Sequence, residues 1–356
     1  MPPRLASTVM ERKSAGRSVL VTGGSGFLGG WCVIELLRRG HPVRTTIRDL
    51  SRESEVRSLL AAEIDGGDRL AVVEADLMAD EGWSAAVEGC EYVLHVASPF
   101  PPKQPRDPDE LVVPAREGTL RVLRAALDAG VTRVVVTSSI AAIRNVRPLP
   151  NRPLSEEDWS DLDNPRLTPY QRSKTVAERA TWDVVHERGE PERLAAVNPG
   201  AILGPVLSAD RSYSLQAIER LLKGMPGLPR LGFSFVDVRD VADLEIAAMT
   251  APGAGGERFI AALPFMWMSE VAEILRDRLG SAAAKVPTRS VPSLLVRAMA
   301  LFDREIPADE LGTRIEVSAE KAKRTLGWSP RPIEDTIAET AESMIRLGIA
   351  PAPAAA

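Results

Sequence analysis

The 356-residue chain has only two cysteines, Cys32 and Cys90, and three histidines, His41, His95 and His186. Two thiols in expected helix and strand-edge settings make no disulfide framework. They read as reduced core residues of a cytoplasmic protein. The histidines are scattered without metal-ligand spacing, so no metal is expected. No apolar run reaches about 18 residues, hence no membrane span. Residues 1–17 carry Arg4, Arg12, Lys13 and Arg17 but no apolar stretch, so they do not read as a secretory signal. A disordered lead-in is expected there, and a disordered Pro/Ala tail over residues 348–356. The formal net charge is −5 with both signs interspersed, which argues against nucleic acid as a partner. Internal repeats are absent. What remains, 44% hydrophobic and 26% charged residues, is ordinary for a globular chain of one large domain or a main domain with a smaller lobe.

The most informative stretch is SVLVTGGSGFLGG, residues 18–30. Val19 to Thr22 is mostly β-branched and predicts a buried strand. Glycines follow at 23, 26 and 29, and residues 31–39 carry apolar residues at helical spacing. Strand, glycine turn and helix open a dinucleotide-binding βαβ unit. A pyrophosphate on a helix N-terminus needs free backbone N–H groups and no Cβ in the way. Gly23 allows the tight turn, Gly26 the approach to the phosphates, and Gly29 the close packing of helix on strand. Further strands are predicted at 41–47, 69–74, 91–96, 133–137 and 194–197, with helices between them, including long ones at 109–129 and 166–187. This alternation predicts an α/β fold, a Rossmann-type doubly wound parallel sheet with helices on both faces. Residues 144–163, rich in Pro, Asn, Asp and Ser, read as a long functional loop. After Leu203 the alternation fails. The expected division is a nucleotide domain over 18–203 and a smaller, mainly substrate-binding lobe over 204–347, with some segments returning to the first domain.

Tyr170 and Lys174 are four residues apart on a predicted helix, hence on one face. A lysine so placed favours the phenolate and lowers the tyrosine pKa towards working pH, where the phenol can act as general acid or base. Upstream, the Val-rich strand ends in Thr137-Ser138-Ser139, at the end of an open α/β sheet where ligand-contacting residues sit. A hydroxyl there can bond a carbonyl oxygen as charge develops on it. Ser138 and Ser139 are both candidates on this argument. His95, at a strand end, reads as a buried, satisfied histidine rather than a base.

With these segments in hand, the chain resembles an extended short-chain dehydrogenase/reductase across about residues 18–347, and within that superfamily the dihydroflavonol 4-reductase, cinnamoyl-CoA reductase and bacterial aldehyde/ketone reductase group. The matching segments are VTGGSGFLG (21–29), TIRD (46–49), ADL (75–77), HVASP (95–99), VTSS (136–139), YQRSK (170–174), NPG (198–200), LGP (203–205) and FVDVRDVA (235–242). The resemblance implies that Ser139 holds a substrate carbonyl, that Tyr170 donates the proton, and that Lys174 binds the nicotinamide ribose and lowers the Tyr170 pKa. It places Thr22, Gly23, Ser25, Gly26, Phe27, Leu28 and Gly29 at the cofactor, and Asp76 and Leu77 at the adenine. Val96, Ala97 and Ser98 would run beneath ribose and nicotinamide, with Pro199, Gly200 and Ile202 at the nicotinamide and its carboxamide.

NAD-specific sites usually end the second strand in Asp or Glu, to bind the ribose 2′-OH. This strand ends in Arg48, with Arg44 and Arg52 nearby, and a guanidinium forks well onto the 2′-phosphate of NADP(H). Asp49 follows directly, which leaves dual use open. The substrate pocket is expected from Pro99, Arg144, Tyr213, Leu215 and Phe233, a mostly apolar wall suited to an aryl or alkyl ketone or aldehyde. Where plant flavonoid reductases carry a ring-binding asparagine, this chain has Arg144, which weakens a dihydroflavonol substrate. The activity so implied is NADPH-dependent carbonyl reduction by a monomer or homodimer. Alternatives are a nucleotide-sugar epimerase or dehydratase that retains NAD, and a non-catalytic NADP sensor.

Overall fold

The structure, a computed structural model, describes residues 18–99, 105, 107–208, 213–300 and 310–351, with only the backbone of Tyr213, Met299 and Ala300 in this set. The expected lead-in at 1–17 and the last part, 352–356, of the tail expected over 348–356 therefore lie outside the described residues, as does most of the Pro-rich loop after Pro99.

The chain opens with β1 (Val19–Thr22), α1 (Phe27–Arg38), β2 (Val43–Ile47), α2 (Glu53–Ala61) and β3 (Leu70–Glu74). It continues through α3 (Trp83–Val87), β4 (Tyr92–His95), α4 (Asp109–Asp128), β5 (Arg133–Thr137), α5 (Pro169–Glu187) and β6 (Leu194–Pro199). Next come β7 (Ala201–Leu203), α6 (Tyr213–Lys223), β8 (Gly232–Asp237), α7 (Val238–Thr250), β9 (Glu257–Ala261) and β10 (Phe265–Trp267). Helices α8 (Met268–Leu279), α9 (Ser293–Ala300), α10 (Glu320–Leu326) and α11 (Ile333–Arg346) close the chain.

Seven strands form one parallel sheet in the order β3-β2-β1-β4-β5-β6-β9. Each central strand is apolar on both sides, because a parallel sheet is covered on both faces. In β5, Val135 enters the core shared with α1 and α7, while Val134 and Val136 enter the core shared with α3, α4 and α5. The order reverses between β1 and β4, which is where a doubly wound sheet opens a crevice. A second sheet, β10-β8-β7, backs a separate apolar core built with α6, α8 and α11. Helix α7 and strand β9 return to the main sheet, so the lobe is discontinuous in sequence.

Of the boundaries that differ from the sequence reading, three have a cause in the surrounding contacts. Helix α1 begins at Phe27, not at Trp31, because Gly29 and Gly30 form its first turn against the glycine loop. Helix α5 begins at Pro169 rather than residue 166. Thr168 accepts from the Gln171 amide at 3.2 Å while the Gln171 side chain accepts from the Thr168 amide at 2.9 Å, a capping box with Pro169 in the first turn. At the other end, Ile349 and Ala350, expected in a loose tail, are buried in the lobe core.

Candidate active site

The glycine loop is held from the side by β2. Thr46 Oγ1 accepts from the Gly23 amide at 3.2 Å, and Thr45 Oγ1 from the Gly24 amide at 3.0 Å. Gly23 has φ +74°, a backbone that L side chains rarely adopt. A Cβ on Gly29 would stand 2.2 Å from the Gly23 carbonyl oxygen, so helix and turn touch only because residue 29 is glycine. Gly26 precedes α1 without a side-chain cap, leaving the first amides of the helix to an incoming anion. Those amides and that cradle fit a pyrophosphate. Gly29→Ala should accordingly cost about 1–3 kcal/mol through overpacking against backbone. The check is the denaturant midpoint; an unchanged midpoint would show that the turn yields freely.

From the loop, a cleft of about 1210 Å³ runs along the C-terminal ends of the main strands and into the lobe. Gly23, Ser25, Gly26, Phe27, Leu28 and Gly29 line one end. Arg48, Asp76, Leu77, Val96, Ala97 and Ser98 follow, and then Pro199, Gly200 and Ile202. Thr22 does not face the cleft. It is fully buried beneath the loop, bonded through Oγ1 to His95 Nδ1 at 2.9 Å and accepting from the Ala97 amide at 3.0 Å. His95 is thereby satisfied, and burial, with the charge of Lys174, pushes its pKa down to about 3. It is neutral at any physiological pH.

The basic residues around β2 divide by partner. The Arg44 guanidinium bonds the carbonyls of Ala85, Ala86 and Glu88 at the end of α3. Arg52 pairs with Glu55 at 2.8 Å. Arg48 is exposed on the cleft wall and makes no ion pair among the described residues. Asp49 Oδ1 accepts from the Ser51 amide at 2.9 Å, capping the turn that follows β2, and hydrogen bonds from the Ser51 hydroxyl and then its amide hold the carboxyl below the usual range.

The reacting end lies where β5 stops. Thr137, Ser138 and Ser139 all line the cleft, but the alternation of the strand sends their side chains different ways. Ser138 Oγ donates to Glu178 Oε2, so it is committed to the buried side. Ser139 Oγ accepts from the Ala141 amide at 3.1 Å and shares a hydrogen bond with Tyr170, which stands in the first turn of α5. Lys174 follows one turn later on the same wall.

Burial governs both titrating groups. It pushes the Tyr170 phenol up, with the Ser139 hydrogen bond opposing. The expected lowering of the phenol by Lys174 is not among these influences, which are burial and the Ser139 hydroxyl. Lys174 itself is brought down to about 8 by burial, with the Glu178 and Glu245 carboxylates opposing. A protonated phenol beside an ammonium is the pair an acid catalyst requires.

Beneath them lies a network with no sequence signature. Glu178 Oε1 accepts from Arg258 Nε at 2.6 Å, and Glu178 Oε2 from Asn198 Nδ2 at 2.7 Å. Asn198 Nδ2 also donates to the Ser139 carbonyl at 3.2 Å. The partners come from α5, β6 and β9, elements that no local pattern connects.

At the lobe end, Pro99, Arg144 and Phe233 line the cleft, together with Met225, Leu231 and Phe235. Leu215, expected there, is 2% exposed and turned into the lobe core, because its face of α6 packs against α8 and α11. The Tyr213 side chain lies outside the described residues. Arg144 Nη2 pairs with Glu310 at 3.0 Å, and Gln171 Nε2 donates to the same carboxylate at 3.1 Å. Neither Gln171 nor Glu310 was legible as a cleft residue, since they meet across 139 positions of chain.

The family model described as NAD dependent epimerase/dehydratase family matches residues 19–262. Cinnamoyl-CoA reductase CAD2 of Medicago truncatula is 34% identical over 343 residues, covering 94% of this chain and 98% of that protein. Dihydroflavonol 4-reductase of Zea mays is 33% identical over 285 residues, covering 76% and 77%. Among solved structures, yeast methylglyoxal/isovaleraldehyde reductase Gre2 complexed with NADPH superposes with a TM-score of 0.76 at 25% identity, covering 93% of this chain and 99% of that one.

Proposed function

The chain belongs to the NAD dependent epimerase/dehydratase family, and from that premise we propose that it is an NADPH-dependent carbonyl reductase acting on a ketone or aldehyde, reversibly an alcohol dehydrogenase. The observation that carries the reading is the hydrogen bond between the Ser139 and Tyr170 hydroxyls on the cleft wall, with Lys174 one turn further along α5. Bound NADPH supplies the hydride. The glycine loop and the first amides of α1 would hold its pyrophosphate, Asp76 and Leu77 would flank the adenine, and Lys174 would meet the ribose hydroxyls beside the nicotinamide. Ser139 donates a hydrogen bond to the carbonyl oxygen as negative charge grows there. Tyr170, kept protonated by its burial, gives that oxygen a proton. The Lys174 ammonium then stands opposite the phenolate left behind.

The cleft joins an apolar wall of Met225, Leu231, Phe233 and Phe235 to the polar Arg144–Glu310 pair. That lining supports an aryl or alkyl carbonyl compound with a polar substituent. Net NADPH consumption with such a compound tests the reading. A protein that releases NAD on denaturation and consumes no reduced cofactor would instead be an epimerase or dehydratase.

Preference for NADPH follows from Arg48, whose guanidinium makes no ion pair among the described residues, and from Asp49, whose carboxylate is engaged by Ser51. Arg48→Ala should raise the KM for NADPH about 10- to 100-fold, the worth of hydrogen bonds to a charged group, and change that for NADH little. Equal effects on both cofactors would remove Arg48 from the phosphate site.

A further inference from the structure

Glu310 reaches the cleft from the lobe and meets side chains of the two segments that carry the reacting hydroxyls. Arg144 stands one short turn after Ser139, where its amide bonds the Ile140 carbonyl at 2.9 Å. Gln171 follows Tyr170 directly. Arg144 Nη2 donates to Glu310 Oε2 at 3.0 Å, and Gln171 Nε2 to Oε1 at 3.1 Å. All three residues line the cleft.

The partners are held from behind. The Gln171 side-chain oxygen is taken by the Thr168 amide, so its Nε2 faces Glu310. Leu311 is buried in the lobe core, and the Gly312 amide bonds the Arg230 carbonyl at 2.8 Å, which fixes the backbone that bears Glu310. The carboxylate is not used up. It offers about four acceptor sites, and two of them take donors among the described residues. The Arg144 and Glu310 side chains keep 13% and 20% of their surface open. A hydroxyl can donate to the spare acceptor sites without displacing anything. A guanidinium by itself would be a receptor for a carboxylate, but here Glu310 fills that place from within the chain. A second carboxylate has to displace Glu310 from both donors or lie beside a like charge, and both are unfavourable.

We propose that Glu310 sets which carbonyl compounds the cleft accepts: matched against Arg144, it takes a hydrogen bond from a neutral hydroxyl on the substrate and shuts out compounds that carry a carboxylate. The inference rests on the reading of the cleft as a carbonyl-reducing site, and it narrows the polar substituent to an alcohol or a phenol. The apolar wall of Met225, Leu231 and Phe233 takes the rest of such a compound. The charges predict how the preference changes. Without the Glu310 charge, Arg144 is left as an unmatched cation in the same place, and a substrate carboxylate can occupy the position of the lost one. Without the Arg144 charge, the remaining carboxylate favours a substrate ammonium.

The test compares hydroxyacetophenones with acetylbenzoates, each as the ortho, meta and para isomers, in the full chain and in Glu310→Gln. Affinity is read by calorimetric titration with NADP+ present, and kcat/KM by NADPH oxidation. In the parent, at least one hydroxyacetophenone should bind about 10- to 100-fold more tightly than its carboxylate counterpart, the worth of a hydrogen bond to a charged group. Glu310→Gln should cut that ratio by about tenfold or more, and the ratio of kcat/KM values should follow. A lower melting temperature with an unmoved ratio would make the pair a strut between lobe and sheet and overturn the proposal. Failure of every isomer to bind the parent would overturn it as well. If Glu310→Gln does not fold, Arg144→Gln gives a second route: it should bind an aminomethyl acetophenone about tenfold more tightly than the parent does. No gain there would overturn the proposal. The predicted binding ratios in a protein that oxidises no NADPH with any isomer would uphold the specificity and reject the reductase reading instead.

Discussion

Tyr170→Phe should lose about 10²- to 10⁴-fold in turnover, the usual worth of a positioned general acid. The ring keeps its place in the first turn of α5, where the Thr168–Gln171 capping box fixes the backbone. The cleft loses only a hydroxyl, so nucleotide binding should stay near that of the parent. What disappears is the proton donor, and with it the bond that ties the Ser139 hydroxyl to α5. Steady-state turnover beside nucleotide titration separates the two effects. Parent-like turnover would show that another group protonates the oxygen.

Glu178→Ala should destabilise the fold by about 3–5 kcal/mol, the cost of breaking a buried ion pair by removing one partner. Four donors converge on this carboxylate: Arg258 Nε, Asn198 Nδ2, Ser138 Oγ and Trp182 Nε1. The Arg258 guanidinium, stacked 3.6 Å from the Trp159 ring centroid, would be left as an uncompensated charge between β9 and α5. Arg258 Nη1 would still reach the Glu156 and Asp158 carbonyls, so the side chain stays where it is and cannot escape to water. Glu178→Gln keeps the shape and one acceptor, and should cost less. Chemical denaturation of both variants gives the comparison, and a loss of under about 1 kcal/mol for the alanine variant would contradict the account.

The two networks explain which parts of the site the sequence disclosed. The glycine loop was legible because its constraints are local: a Cβ on Gly29 would collide with the Gly23 carbonyl, Gly23 itself has a positive φ, and a strand and a helix flank them within a dozen residues. Tyr170 and Lys174 were legible as neighbours because helical spacing alone puts them on one face. Their titration was not, since spacing says nothing of burial, and burial decides that Tyr170 is pushed up. Leu215 and Phe233 were assigned to one wall from apolar character alone, yet α6 turns Leu215 inward while β8 presents Phe233 to the cleft. The rotational phase of a short amphipathic helix is fixed by what packs on it, here α8 and α11 from much later in the chain. Glu245 bonds Thr137 across 108 positions and Arg258 bonds Glu178 across 80, and only the folded sheet brings such pairs together.

The most direct test of the central claim is to follow the loss of reduced-nicotinamide absorbance with NADPH, and in parallel with NADH, against aryl ketones, aldehydes and 1,2-dicarbonyls. The account predicts net oxidation of NADPH, well above that of NADH, with at least one of these carbonyl compounds. It also predicts that Tyr170→Phe abolishes most of that signal. Oxidation of neither cofactor, with NAD released when the protein is denatured, would contradict it.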